Sequence, residues 1–238
     1  MPHGGRSFIH SAMIEELGPD IFLQKHPLTV MGSQLGRNVT IVRLASGKLV
    51  IHSTAPFSDD DVEEIEALGE PAWLVEATNY HDTFAREGRA AFPNLAYLVP
   101  PSFPGFAQLD AQSLATPPAA WDGELEVLML QGAPALNETV FFHRPSKTLI
   151  VADLVFNLPN TVNLWTRKVF RLLSGIKKSP GVSRLLGHFI KDQQGFSASL
   201  EVLLQWDFER VIVAHGEPIT EDAKGKLVAL FHTKGLLK

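Results

Sequence analysis

Three side chains that can bind a metal ion follow apolar runs that have the composition of buried β-strands. The run 148–152 leads into Asp153, the run 211–214 leads into His215, and the run 73–77 opens into a polar segment that contains His81. In layered α/β folds, side chains just past the carboxyl ends of core strands converge on one cleft. The sequence therefore predicts that these three side chains lie in a common site.

These ligand types are compatible with metal-dependent hydrolysis. Two histidines and a carboxylate would hold one divalent ion, zinc, manganese or iron, and leave an open position for a water molecule. Such an ion lowers the pKa of its water to about 7 and so supplies hydroxide at neutral pH. Glu138 would add a fourth, oxygen ligand, which favours manganese or iron over zinc. Asn79 would orient a substrate or a water molecule by hydrogen bonding.

Other catalytic groups are excluded by the sequence. The chain has no cysteine, so any metal must be held by His, Asp or Glu. It contains no phosphate-binding glycine-rich loop with lysine and no dinucleotide fingerprint, and it lacks the Gly-x-Ser-x-Gly elbow of serine hydrolases. We therefore expect no organic cofactor and a small-molecule substrate.

Each candidate ligand also has a structural alternative that the sequence leaves open. His81 can be a hydrogen-bonded residue of the core, and Asp153 can accept backbone N–H groups in the turn after its strand. His215 and the following glycine can form a tight turn in which the imidazole stacks on the core. Glu138 can pair with Arg144 on the surface of a hairpin.

The elements that must position these residues can be predicted from periodicity and turn residues. In the first half, the runs 39–44 and 49–52 predict a hairpin. Ser58 predicts the start of a helix that has three aspartates in its first turn. A strand, a helix and a second strand are then expected over 73–77, 84–91 and 95–99. The proline-rich stretch from Pro100 to Pro118 predicts a long irregular connection.

The second half repeats this pattern with a helical insertion. Strands are expected over 125–130, 139–143 and 148–152, followed by helices over 162–173, 182–190 and 198–206 that are broken at Gly175, Pro180 and Gly195. A strand over 210–214 and a helix over 221–232 complete the chain. This order predicts an α/β fold, a four-layer αββα sandwich formed by residues 1–238 as a single domain, with a helical insertion at about 158–206 after the strand that ends at Asp153.

This order, together with the segment TNYHDTF at 78–84, resembles the metallo-β-lactamase superfamily over about residues 36–232. Members of that superfamily carry Thr-His-x-His-x-Asp-His after an early strand, a bridging Asp after a hairpin strand and a final His after a late strand. The resemblance implies that His81, Asp153 and His215 are metal ligands. Other positions of the motif carry residues that do not bind metals, which implies a reduced, single-metal site; these are Asn79, Thr83 and Phe84.

A narrower resemblance is carried by residues 38–44, 50–53, 137–150, 153–157 and 214–216. These segments resemble the signature of a bacterial branch of the superfamily that is defined only as a domain of unknown function. The resemblance implies the fold and supplies no substrate.

The charge pattern bears on the partners of the protein. A formal net charge of −5 argues against general nucleic-acid binding. The segment 154–191 nevertheless carries seven basic residues and no Asp or Glu; they are Arg167, Lys168, Arg171, Lys177, Lys178, Arg184 and Lys191. These helices would attract an anionic substrate or make peripheral contact with anionic lipid, or they would form an ordinary solvated face.

No apolar run approaches the roughly 18 residues that a transmembrane helix needs, and residues 1–6 lack the features of a secretory signal. We therefore expect no transmembrane segment and a cytoplasmic location. Two functions remain in view: a metal-dependent hydrolase with a reduced metal site, and a non-catalytic protein that has lost the metal and keeps the cleft as a ligand-binding or partner-docking surface.

Overall fold

The structure is a computed structural model that describes residues 13–159, 163–176 and 178–237. The strands in these residues are β1 (Ile14–Gly18), β2 (Ile21–His26), β3 (Thr29–Val30), β4 (Ser33–Gln34), β5 (Arg37–Arg43), β6 (Lys48–His52), β7 (Glu70–Val75), β8 (Ala96–Val99), β9 (Ala111–Ser113), β10 (Leu125–Met129), β11 (Thr139–His143), β12 (Thr148–Val151) and β13 (Arg210–Val213). The α-helices are α1 (Asp59–Glu66), α2 (Ala85–Ala91), α3 (Leu164–Leu173), α4 (Arg184–Phe189), α5 (Gln193–Leu203) and α6 (Ala223–Thr233).

Two sheets carry most of the strands. The larger has the order β1-β2-β5-β6-β7-β8-β9, and the smaller has the order β10-β11-β12-β13. Strands β6 to β9 are parallel to one another, and β12 is parallel to β13. The strands β3 and β4 form a separate short hairpin. Parallel neighbours end at the same edge of a sheet, so the loops after β6 and β7 lie together, as do the loops after β12 and β13.

Three apolar clusters define four layers. The cluster between the sheets contains inward-facing residues of both, including Val42, Val50, Phe141 and Ile212. A second cluster packs α1 and α2 on the outer face of the larger sheet, and a third packs α4, α5 and α6 on the outer face of the smaller one. The prediction of a four-layer αββα sandwich with a helical insertion after the Asp153 strand is confirmed. That residues 1–238 form a single domain stays a prediction.

Most elements form where alternation and capping predicted them, and two predictions were wrong. Gly195 does not break a helix: α5 begins at Gln193, and the Asp192 side chain accepts a hydrogen bond from the Gly195 N–H. The connection after Pro100 is not wholly irregular, because β9 extends the larger sheet by pairing with β8. None of the described helices is both long and apolar enough to cross a bilayer.

Candidate metal centre

The structure brings His81, Asp153 and His215 together, and each follows the strand end where the sequence placed it. One ligand atom from each lies within 4.8 Å of the other two. The Nε2 atom of His81 is 3.6 Å from Asp153 Oδ1, and the Nε2 atom of His215 is 3.7 Å from the same oxygen. The first ligand comes from the larger sheet and the other two come from the smaller one, so the group lies where the two sheets meet.

The loop after β13 is fixed by hydrogen bonds from the beginning of β5. Asn38 donates its side-chain N–H groups to the carbonyls of Val213 and Gly216, at 2.7 and 2.8 Å, and its backbone N–H to that of Ala214 at 2.9 Å. Gly216 has a φ of +105°, and a Cβ atom there would lie 2.2 Å from the carbonyl oxygen of Asn157. Only glycine fits this turn, which therefore presents His215 in one position.

The donor set fits a divalent ion. Ligand atoms about 2.0–2.2 Å from a tetrahedral zinc ion lie roughly 3.3–3.6 Å from each other, and the two Nε2-to-Oδ1 distances exceed that spacing by a few tenths of an ångström at most. The Nε2 atom of His81 is buried and has no hydrogen-bond partner among the described residues. An unpaired buried polar atom costs about 1–3 kcal/mol, and a cation at this point would remove that cost.

The second ring nitrogen of each histidine is held from outside the ligand group. Nδ1 of His215 lies 2.6 Å from the carbonyl oxygen of Gly36, to which it donates, and this leaves the Nε2 lone pair facing Asp153. The His215 ring also stacks on Phe156, with centroids 5.5 Å apart. Nδ1 of His81 lies 3.5 Å from Glu76 Oε2 and 3.4 Å from Ser53 Oγ. Such outer contacts are typical of histidines that bind metals.

Electrostatics reinforces the grouping. Burial alone would raise the pKa of Asp153, but His81, His215 and Arg37 outweigh it and hold that pKa at about 2. Burial and the neighbouring His81 lower the pKa of His215 to about 3. Burial and Arg37 also lower the pKa of His81, but the Asp153 and Glu76 carboxylates outweigh them and leave it raised. Asp153 is thus ionised, and its negative charge interacts with His81, His215 and Arg37.

Two buried charged residues beneath the site were missed by the sequence analysis. Arg37 is 1% exposed, and it donates from Nη1 to Ser53 Oγ at 3.3 Å. Glu76 is fully buried, and its Oε1 accepts the Thr54 N–H at 2.7 Å. A charged residue inside the apolar run 73–77 was a signal for Glu76. Arg37 is the first residue of β5. Because β5 runs antiparallel to β6, the beginning of β5 lies at the edge of the sheet where β6 ends, and this places Arg37 there.

Glu138 lies next to Asp153 and is hydrogen-bonded to the turn that carries it. Its two oxygens accept the backbone N–H groups of Ala152 and Asp153 at 2.8 and 3.1 Å. Burial and the Asp153 carboxylate raise the pKa of Glu138 to about 8. The side chain therefore shapes the turn that carries Asp153, and its role as a fourth ligand stays a prediction. The surface pairing with Arg144 is wrong, because Glu138 is buried and Arg144 pairs with Glu126.

Asn79 is held between two loops. Its Nδ2 atom donates to Ser102 Oγ at 2.9 Å and to the Ala135 carbonyl at 3.2 Å. Its backbone N–H donates to the Leu136 carbonyl at 3.0 Å. These bonds join the loop after β7 to the loop before β11, and the orienting role of Asn79 stays a prediction.

A cavity of about 310 Å³ opens beside the ligand group, with Asp153 and His215 in its wall. The β3–β4 hairpin and α4 contribute much of the remaining wall, including Val30, Met31, Leu185, Leu186 and Phe189. Two of the lining rings, those of Tyr80 and Phe189, contact each other with centroids 4.9 Å apart. Pockets of about 300–1,000 Å³ with a few polar groups are typical of small-molecule sites.

The basic residues of the segment 154–191 do not line this cavity within the described part of the chain. Arg184 donates to the Leu172 carbonyl at 2.7 Å and so braces α3 against α4. Lys177 lies outside the described residues.

Comparisons with known proteins identify the fold. No family model matches the chain, and no curated protein does. Among solved structures, that of VMB-1 matches with a TM-score of 0.65 at 14% identity, covering 94% of this chain and 98% of its own. DIM-1 metallo-β-lactamase matches with a TM-score of 0.63 at 19% identity, covering 94% and 99%. A metallo-β-lactamase from Pontibacter korlensis matches with a TM-score of 0.61 at 16% identity, covering 93% and 99%.

These alignments span nearly the whole of each partner, and their identities are low enough that the shared property is the architecture. Together with the αββα layers and the position of the ligand group at the strand ends, they show that this chain has the metallo-β-lactamase fold.

Proposed function

We propose that this protein is a metal-dependent hydrolase of a small molecule, with one divalent ion held by His81, Asp153 and His215. The observation that carries the proposal is that both Nε2 atoms face the same carboxylate oxygen at 3.6 and 3.7 Å, beside a cavity. A carboxylate and two imidazoles leave an open position at a tetrahedral ion, as catalytic sites do.

The chain supplies binding, orientation and charge around that ion. A divalent ion held here would polarise a carbonyl or phosphoryl oxygen and would make hydroxide available near neutral pH. The Gly36 carbonyl holds the His215 ring through a hydrogen bond, and the Glu76 carboxylate faces Nδ1 of His81 at 3.5 Å, so both Nε2 atoms are directed at the site. Leu185, Leu186 and Phe189 of α4 give the cavity an apolar wall on one side. The bond that is cleaved belongs to an ester, a thioester, an amide or a phosphoester.

Metal analysis tests the proposal directly. Protein purified without chelator and then incubated with zinc, manganese or iron(II) should retain about one equivalent of ion after gel filtration. The variants His81→Ala and His215→Ala should each retain less than about a tenth of an equivalent. The variant His232→Ala, which alters an exposed histidine on α6, is the matched control and should bind like the unmodified protein.

The alternative function, a ligand-binding protein without a metal, makes the opposite prediction. In that case none of the three ions is retained, and the two site variants behave like the control. Loss of retained metal or of hydrolysis in either site variant would exclude the ligand-binding alternative.

A cytoplasmic location of the protein stays a prediction.

We also propose that α3 makes peripheral contact with anionic lipid. Successive residues of an α-helix are about 100° apart around its axis, which places Leu164, Trp165, Lys168 and Leu172 on one face. Leu164, Trp165 and Leu172 are 78, 58 and 70% exposed. Thr166, on the opposite face, is buried and accepts the Gln34 N–H at 2.9 Å. An exposed helix face with aromatic, aliphatic and basic residues is typical of interfacial helices.

The exposed basic residues of the helical insertion would attract anions to the protein surface outside the cavity. Exposed Lys168, Arg171 and Lys178 belong to a segment with no acidic residue between 154 and 191. None of the three lines the cavity, so they would raise the concentration of anions around the insertion without contacting a bound ligand.

A further inference from the structure

The wall of the cavity beside the ligand group is mostly apolar. Eight of its fourteen lining residues are aliphatic, aromatic hydrocarbon or methionine side chains, and the others are three serines, Tyr80, Asp153 and His215. None of these described lining residues is Lys or Arg. Asp153 and His215 therefore lie next to an apolar surface that favours the binding of a hydrocarbon group.

The apolar wall comes from elements on both sides of the ligand group. Leu35 follows the β3–β4 hairpin, Phe156 follows the turn after β12, and Leu186 lies in α4. Phe156 also stacks on the His215 ring, so apolar wall and candidate ligand are in direct contact. A hydrocarbon chain lying against this wall would begin at the ligand group itself.

The apolar wall disfavours a charged group along its length. Away from Asp153 and His215, its described residues include no acidic or basic side chain that could pair with a charge, and the exposed basic residues of α3 lie outside the lining. Burying an unpaired anion against hydrocarbon is costly, whereas each methylene group moved from water into such a wall contributes about 0.8 kcal/mol.

We propose that this cavity binds the unbranched apolar chain of a neutral acyl ester or thioester, with the acyl carbonyl on the side of the cavity that Asp153 and His215 line. The inference rests on the proposed hydrolase function for the identity of the reacting group. The binding of the chain depends on the cavity wall alone. Hydrolysis would add one water across the acyl–oxygen or acyl–sulfur bond and release a carboxylic acid and an alcohol or thiol.

Chain binding can be measured without turnover. Isothermal titration with n-alkanols from butanol to octanol uses neutral probes that carry no hydrolysable bond. We expect the dissociation constant to fall about fourfold with each added methylene, which is the effect of burying that group. A dissociation constant that does not change along the series would overturn the proposal.

Two lining positions allow a sharp variant test because aspartate suits their backbone. Met31 is 73% exposed and has a φ of +50°, a conformation that aspartate tolerates. Leu185 is 52% exposed and lies in the first turn of α4, where an acidic residue is favourable. Met31→Asp and Leu185→Asp should each weaken octanol binding at least tenfold, because a carboxylate then faces the chain.

The matched control is Met13→Asp, which changes an 86% exposed methionine next to β1, outside both the cavity lining and the lipid-facing side of α3. It should bind octanol within about twofold of the unmodified protein. Equal octanol binding by the control and both lining variants would overturn the proposal.

Hydrolysis assays on the same preparations separate this inference from the proposed function. Hydrolysis of p-nitrophenyl esters with equal kcat/KM for the acetate, butyrate and octanoate would overturn the apolar-chain site and leave the hydrolase standing. A steep alkanol series with no retained metal and no hydrolysis would support the chain site and overturn the hydrolase.

Discussion

Glu76 shows how one buried residue can govern a neighbouring ligand. It has no exposed surface, its Oε1 is bonded to Thr54, and its Oε2 lies 3.5 Å from Nδ1 of His81. A carboxylate behind a metal-binding imidazole fixes the tautomer and raises the basicity of the nitrogen that faces the metal. Glu76 also brings a negative charge into the region that contains the buried guanidinium of Arg37.

The variant Glu76→Gln tests this role. It keeps the shape of the side chain and removes its charge, so we expect the affinity for the bound divalent ion to fall about 10- to 100-fold. Competition with a chromophoric chelator measures the change. The control is Glu66→Gln, at the exposed end of α1, which should leave the affinity unchanged; an equal affinity in both variants would show that Glu76 has no influence on His81.

At the scale of elements, the helical insertion differs from the sandwich in what its residues contact. Helix α3 is attached through Thr166 to β4, while Leu164 and Leu172 stay exposed. Helix α4 turns Leu186 into the apolar cluster of the smaller sheet and Leu185 toward the cavity. One insertion therefore supplies both the proposed lipid-facing surface and part of the cavity wall.

The lipid contact predicts a dependence on charge that vesicle sedimentation can measure. Each basic residue close to an anionic membrane contributes about 1 kcal/mol, so Lys168→Gln with Arg171→Gln should weaken binding to phosphatidylserine-containing vesicles roughly 30-fold. The control pair, Arg86→Gln with Lys226→Gln, removes exposed cations from α2 and α6 and should change binding little. Equal loss in both pairs would indicate a nonspecific charge effect and contradict the proposal.

The elements that the sequence could predict are those whose signals are local. The β5–β6 hairpin follows from alternation, and α1 begins as its residues predict, because Ser58 and Asp61 form a reciprocal capping box. The strand β9 was missed because it is a short edge strand with one pairing partner, β8. Its pairing is a tertiary contact that local patterns do not record.

The same distinction applies to the site. Asp153 and His215 were found because each directly follows a buried strand, and strand ends are recognisable in a sequence. Arg37 is the first residue of β5 and lies before the run 39–44 from which that strand was predicted, and its proximity to Ser53 depends on the antiparallel pairing of β5 with β6. The interpretation of Glu138 as a surface partner of Arg144 was wrong because Glu138 is buried against the turn after β12, where it accepts the Ala152 N–H. That contact is tertiary and has no local signal in the sequence.

At the scale of the whole molecule, stability should depend on buried histidines outside the candidate site. His143 in β11 is fully buried, and its Nδ1 lies 2.7 Å from Ser146 Oγ. Burial lowers the pKa of His143 to about 4, against the opposing effect of Asp20 and Glu124. In the unfolded chain this histidine takes up a proton near pH 6.5, so acid favours unfolding.

The pH dependence of unfolding follows from that difference. The contribution of neutral His143 is complete above pH 6.5 and is lost as the pH falls toward 4, which lowers the free energy of unfolding by roughly 2 kcal/mol between about pH 7 and about pH 4.5. Urea unfolding of His143→Gln should show a correspondingly flatter pH profile. The variant His232→Gln, at an exposed position, should retain the pH slope of the unmodified protein. If the unmodified protein and both variants have the same slope, His143 does not cause this pH dependence.

The division of the ligand group between the two sheets has a consequence for biosynthesis. His81 follows β7, whereas the last member, His215, follows β13. While the ribosome is still translating residues before 215, the nascent polypeptide cannot yet offer all three donors, even if its first sheet has already formed. Ion capture would thus be a late event in the life of each new molecule, and a product that stops short of β13 would leave two donors without the third.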